Sequence, residues 1–249
     1  MRAIRPLFTP LLLIALLLPG LATAQEPAGH ATAVAGEVTV FDAAGTDIRT
    51  LQRGDAIYVG DTVATAADGR VRLAFTDGGS MTLRPGTRLL IESYQYNNEP
   101  ETDNQATRLL RGGLRAVTGA IGEGRHESYT LETPVATMGI RGTDFLARFC
   151  QGDCVDLQQI GIDPPLDGLY THTHIGTTLV GALLVPAGQS SFTDMTGLSQ
   201  LLPLPPAILL QDPELEGGGV EQPDEVDQPD METFDIPAQE HGTRYLDCR

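Results

Sequence analysis

Between Gly54 and Glu92 the chain alternates short apolar runs with turn pairs. Gly54-Asp55, Gly60-Asp61, Asp68-Gly69, Asp77-Gly78-Gly79 and Pro85-Gly86 punctuate it every six to nine residues. The intervening runs are Ile57–Val59, Thr62–Thr65, Val71–Phe75, Met81–Leu83 and Leu89–Ile91. In Val71–Phe75, residues 71, 73 and 75 share one face, because strand side chains alternate with period two. Gly-Asp and Asp-Gly pairs supply the backbone conformations that tight turns require. The stretch predicts a succession of short β-strands, and no helical period competes with it.

The same pattern extends in both directions. Gly36–Phe41 alternates and closes in a turn region at Asp42–Asp47, and Ile48–Leu51 leads into the central stretch. Gln25–Thr32 is small and polar, a flexible lead-in. Asn97–Thr107 reads as a polar loop, Leu109–Val117 as a strand, and Gly119–Ser128 as a flexible turn region. Tyr129–Thr133 alternates again before Pro134. The first 24 residues differ in kind. Arg2 and Arg5 form a basic n-region, Leu11–Leu18 is an apolar run bracketed by Pro10 and Pro19, and Ala22-Thr23-Ala24 fits a cleavage site. This is the layout of a signal peptide cut after Ala24, and an eight-residue apolar run falls short of the ~20 that a bilayer span needs. The mature chain is expected to be periplasmic or secreted, with no membrane span left after cleavage.

Composition sharpens the picture. The 249 residues carry 28 Gly and 17 Pro, which suits turn-dense β structure, and all 16 basic residues are Arg. Net charge is -17, so nucleic acid is excluded as a partner: phosphate binders present a clustered basic face. Of that charge, -10 lies between Gln211 and Arg249, where 12 acidic residues face 2 Arg. Residues 193–249 combine this acidity with the Pro-rich LSQLLPLPPAILL. They are expected to be disordered: Pro203, Pro205 and Pro206 break any long helix, and from Gln211 onward so little apolar surface cannot offset chain entropy.

Four pieces in order resemble the FecR-type domain: GEVTV, the Gly-Asp pairs with DGRVRLAFTDGGSMTLRPGT, LLRGGLRAV, and ETPVATMGIRGTDFLARF. LVPAGQSSF at 184–192 looks like the closing strand-turn-strand of that family. The resemblance covers residues 34–192. It implies an all-β domain built as a twisted β-solenoid-like stack of short strands; a generic β-sandwich is the alternative that the pattern alone leaves open. Familiar members relay an iron-siderophore signal through a membrane helix to a sigma factor. This chain has a signal segment in place of the cytoplasmic part and helix, like the exported, stand-alone copies of the domain.

Within the motif, Pro134 follows an extended pre-proline residue. Gly139 and Gly142 bracket Ile140-Arg141, so that backbone can bend or approach a neighbouring strand. Two roles are open to Arg141. It ties strands together through carbonyls or a carboxylate such as Asp144, or it binds an anionic ligand. Thr143 completes the motif.

Other chemistry is sparse. His172 and His174, at i and i+2 on one strand face, have a spacing that metals use, but a solvated strand face is the simpler reading, and no cofactor is expected. His30 and His241 stand near the two ends. Ser190-Ser191 lacks a nucleophile elbow, so no hydrolase is read here. Cys150 and Cys154 enclose the turn-forming Gln-Gly-Asp, and a disulfide between them suits an oxidising compartment. Cys248 is left over. The acidic tail shows no calcium-loop pattern. The sequence therefore points to an exported, non-catalytic binding or sensor module acting through a protein partner in the cell envelope. A structural envelope component is the alternative.

Overall fold

The computed structural model describes residues 25–45, 48–124, 127–154 and 166–204. Residues 1–24, on which the expected signal peptide falls, and the chain from 205 onward, with His241 and Cys248, lie outside them. The chain divides into two units, Met1–Leu215 and Glu216–Arg249, and all described residues belong to the first.

Turn pairs and two-residue alternation produce short strands in close succession. They are β1 (Gly29–Ala35), β2 (Val38–Phe41), β3 (Ile48–Thr50), β4 (Ala56–Ile57), β5 (Thr62–Thr65), β6 (Arg70–Phe75), β7 (Ser80–Leu83) and β8 (Arg88–Gln95). A 14-residue strand, β9 (Asn104–Val117), precedes the one short helix among the described residues, α1 (Ala120–Glu123). Then come β10 (Tyr129–Glu132), β11 (Thr137–Cys150), β12 (Gly168–Val180), β13 (Leu183–Pro186), β14 (Ser190–Asp194) and β15 (Ser199–Leu202). The protein is nearly all β. One sheet runs from β15 through β14, β12, β11, β10, β9, β7, β6 and β1 to β4, with β2, β3, β5, β8 and β13 attached along it. All its pairings are antiparallel except β9 with β10, where Tyr129 stands beside Gln105.

The alternation expected from sequence is present side chain by side chain. Val71, Leu73 and Phe75 of β6 point inward while Arg70 and Arg72 are exposed. Val63, Met81, Leu83, Leu89 and Ile91 join them in a core that continues through Leu109, Leu131 and Phe145. β11 departs from this rule. Phe145, Ala147 and Phe149 enter the main core, while Leu146 and Cys150 pack with Cys154, Tyr170 and Phe192 in a second cluster. Its C-terminal half is therefore buried on both faces.

Four expectations need correction. The lead-in is not flexible throughout, because residues 29–31 already pair with β6 and Thr32 forms a bulge in the same strand. The polar loop is shorter than read: β9 begins at Asn104, and Asp103 closes the loop by accepting the amides of Asn97 and Glu99 at 2.8 Å each. The region 119–128, read as a flexible turn, contains α1, tied down by Asp77, which accepts the amides of Ala120 and Ile121. The ladder does not stop at Phe192, since β15 pairs with β14 and Leu202 packs on the second cluster. In three of these cases backbone pairing orders the segment, and in α1 hydrogen bonds to Asp77 do, none of which a local alternation pattern reveals.

Candidate functional site

β11 and β12 pair along almost their whole length, from Met138 opposite Val180 to Cys150 opposite Gly168. The register slips in the middle: Arg141 faces Thr177, but Asp144 faces Ile175. Such a bulge bends the strand and increases its twist. Two glycines make it possible. Gly142 has φ 56° and Gly176 φ 78°, conformations that side chains with a Cβ adopt at a cost. A Cβ on Gly176 would lie 2.7 Å from Thr143 Cγ2 and even closer to the Gly142 carbonyl, whereas one on Gly142 would meet nothing. Gly176 thus serves close approach and conformation, Gly142 conformation alone.

Thr143 is anchored from the other side. Its amide donates to Thr118 Oγ1 at 3.0 Å, and the Thr118 amide and hydroxyl donate to its carbonyl. α1 follows Thr118 directly, so this latch sets Glu123 above the bulge. The result is a cleft of about 520 Å³ lined by Glu123, Arg141, Gly142, Gly176, Thr177 and Leu184. Arg141 and Glu123 are exposed, and neither makes an ion pair with the other or with any other described residue. Ile175 and Leu184 add exposed apolar surface, at 63% and 55% of their full area.

Of the two roles open to Arg141, the tie to Asp144 is not made. Asp144 is 8% exposed and is held by Arg115, whose Nε and a terminal nitrogen donate to its two oxygens at 2.9 and 2.7 Å. That pairing raises the Arg115 pKa, with burial opposing it. The bulge separates Arg141 from Asp144, sending one side chain into the cleft and the other inward. Pro134 sits in the β10–β11 hairpin turn, where the Thr133 hydroxyl accepts the Ala136 amide and donates to the Ala136 carbonyl. Gly139 stands in regular ladder between Thr130 and Leu179, so the bend belongs to Gly142 and not to Gly139. Gly176, the partner that completes the bulge, escaped the sequence reading. Its signal is a lone glycine inside an otherwise β-branched run, Ile175-Gly-Thr-Thr.

Of the two histidines, His172 is not on a solvated face, whereas His174 is half-buried. His172 is 4% exposed and its Nδ1 pairs with Ser190 Oγ at 2.7 Å, with the His174 ring edge-on at 4.7 Å. Burial, and then His174, lowers the His172 pKa, against a smaller upward pull from Asp144. Among the described residues no three His, Cys, Asp or Glu side chains converge as a metal would require. Ser190 is 1% exposed, so no substrate reaches its hydroxyl. Cys150 and Cys154 are joined, their Cα atoms 5.4 Å apart. Asp153 between them accepts the Gln151 amide and Arg111 Nε. Arg148 Nε lies 3.3 Å from Cys154 Sγ. No described helix is long and apolar enough to cross a membrane.

Fold and site together define a bulged, antiparallel β module with an open, charged cleft. The family model for FecR protein matches residues 61–155, from the start of β5 to just past the disulfide. The chain therefore carries a FecR-type domain; the β11 side of the bulge, from Arg141 to Asp144, lies inside the matched region, and its β12 side with Gly176 lies beyond it. Two crystal structures, at 1.65 and 2.50 Å, of a candidate anti-sigma factor from Parabacteroides distasonis ATCC 8503 are similar to it at 14% identity and TM-score 0.41. Each alignment covers 58% of this chain and 60% of that one, so the chain spans under two thirds of that protein's length. No curated protein matches the chain.

Proposed function

We propose that this chain is an exported, non-catalytic binding or sensor module of FecR type, acting in the cell envelope through a protein partner that docks at the bulge cleft. The observation that carries the reading is Arg141. It is a guanidinium with no ion-pair partner among the described residues, held in an open cleft with Glu123 and exposed Leu184 beside it. A cleft with one cation, one anion and apolar walls suits a segment of another protein better than a polyanion, which Glu123 would repel. The basic, apolar and small-residue succession of residues 1–24 supports export with cleavage after Ala24.

The test is a pull-down from periplasm and envelope with the tagged chain, read by mass spectrometry, comparing wild type, Arg141→Glu and Arg72→Glu. Arg72 is exposed on β6, away from the cleft. A partner recovered by wild type and Arg72→Glu but lost with Arg141→Glu supports the reading. A partner retained by Arg141→Glu removes the cleft from it. N-terminal sequencing of the native protein should begin at Gln25, and a retained Met1 would overturn the export arm.

A further inference from the structure

The residue that cleavage after Ala24 would leave first is Gln25. Gln25, Glu26 and Pro27 are exposed, and the fold takes hold at Ala28, whose amide donates to the Ile57 carbonyl at 2.9 Å and whose carbonyl accepts the Thr76 amide at 3.1 Å. The Gln25 side chain reaches back to the turn after β4, where its Nε2 donates to the Val59 carbonyl at 3.0 Å. That bond is exposed, so water replaces it at little cost. The 249 residues contain no lysine, all 16 basic residues being Arg. The α-amine of Gln25 would therefore be the only primary amine on the mature chain.

We propose that Gln25 is a modification site that closes to pyroglutamate once the signal segment is removed, leaving a mature chain with no primary amine. The inference rests on the export reading above. An α-amine titrates at about 7.7–8.0, so near neutral pH a share of it is uncharged and nucleophilic. The nitrogen attacks Cδ of its own side chain. The N–Cδ bond forms, the Cδ–Nε2 bond breaks, and one amine hydrogen leaves with the amide nitrogen as ammonia. Nothing is oxidised or reduced, and no co-reactant is consumed. The attack closes a five-membered ring within one residue, where proximity replaces a collision. Because Ala28 is the first residue whose backbone the sheet holds, closure needs no unfolding. Glutamines elsewhere in the chain lack the free amine. Closure removes the terminal positive charge and the Nε2 that donates to Val59, so the lead-in loses that tie to the turn. It also removes the last group on which amine acylation or imine formation could attach this protein to a neighbour.

Intact mass and amine labelling of the exported full chain, held at neutral pH after recovery and reduced for weighing, test this. Wild type should weigh one ammonia less than the sequence from Gln25 to Arg249, with the loss placed on the first residue by fragmentation. It should take up no label from an N-hydroxysuccinimide ester. Gln25→Ala cannot close, so it should keep its full mass and take one label. A closed ring blocks stepwise sequencing from the amine, so fragmentation also reads where the chain begins. A wild-type chain that begins at Gln25, keeps its full mass and takes one label overturns the inference and leaves export standing. A chain that begins elsewhere overturns the export reading and the inference with it. A loss of ammonia that persists in Gln25→Ala arises at another residue and likewise overturns the inference.

Discussion

Gly176 and Gly142 face each other at the β11–β12 bulge, both at positive φ, but only Gly176 lacks room for a methyl group. Alanine should therefore separate them. Gly142→Ala carries the conformational cost alone, about 1–2 kcal/mol. Gly176→Ala adds a collision with the Gly142 carbonyl and Thr143, and should cost clearly more. Gly142→Val should be worse than Gly142→Ala, because a β-branched residue tolerates that backbone least. Urea denaturation of the three variants checks the order, and equal losses at the two glycines would contradict the packing described.

Arg115 and Arg141 should respond oppositely to the same change. Arg115→Met strands the buried Asp144 carboxylate and should destabilise on the order of 2 kcal/mol, as loss of hydrogen bonds to a charged group does. Arg141→Met removes no ion-pair partner among the described residues and should stay within about 0.5 kcal/mol of wild type. Thermal denaturation of both variants under one buffer decides it.

His172 makes stability depend on pH. Its folded pKa is lowered, chiefly by burial, so the unfolded chain takes up a proton more readily. Stability is then full above the unfolded histidine value of about 6.5 and falls as pH drops below it. Denaturation midpoints between pH 7.5 and 5.5 should decline in wild type, and the decline should shrink in His172→Asn. An unchanged slope in the variant would assign it to other groups.

Cutting the chain after Phe192 removes β15 and the end of β14. Leu202 then no longer covers Tyr170 and Phe192, whose rings lie tilted against each other with centroids 4.7 Å apart. The melting temperature should fall by several degrees, as loss of a paired strand and its apolar contact implies. A transition at the wild-type temperature would show that β15 contributes nothing to the fold.

Gln105 is 2% exposed, and neither its amide nitrogen nor its amide oxygen has a partner. Gln105→Met keeps the shape and removes the unmet polar groups. It should stabilise by roughly 1 kcal/mol, read as a rise in denaturation midpoint. A loss of stability would indicate that the amide is satisfied in solution.

The all-β class was open to reading because alternation and turn pairs are local properties. Val71, Leu73 and Phe75 declare their shared face whatever they pack against, and Gln-Gly-Asp between Cys150 and Cys154 declares a turn short enough to bridge. Strands whose order comes from pairing were not open in this way. Residues 29–31, 104–107 and 199–202 lack a distinctive apolar rhythm, and each forms because a neighbour presents free backbone groups at the right register. The site divides along the same line. Gly142 and Arg141 stood out as residue types, but whether Arg141 would reach Asp144 depended on a one-residue slip against Gly176, some thirty positions away in sequence. That slip hands Asp144 to Arg115 and leaves Arg141 in the cleft. Local sequence specifies which way a side chain points along its own strand. Only the register between distant strands, set by packing of the whole sheet, specifies what it meets.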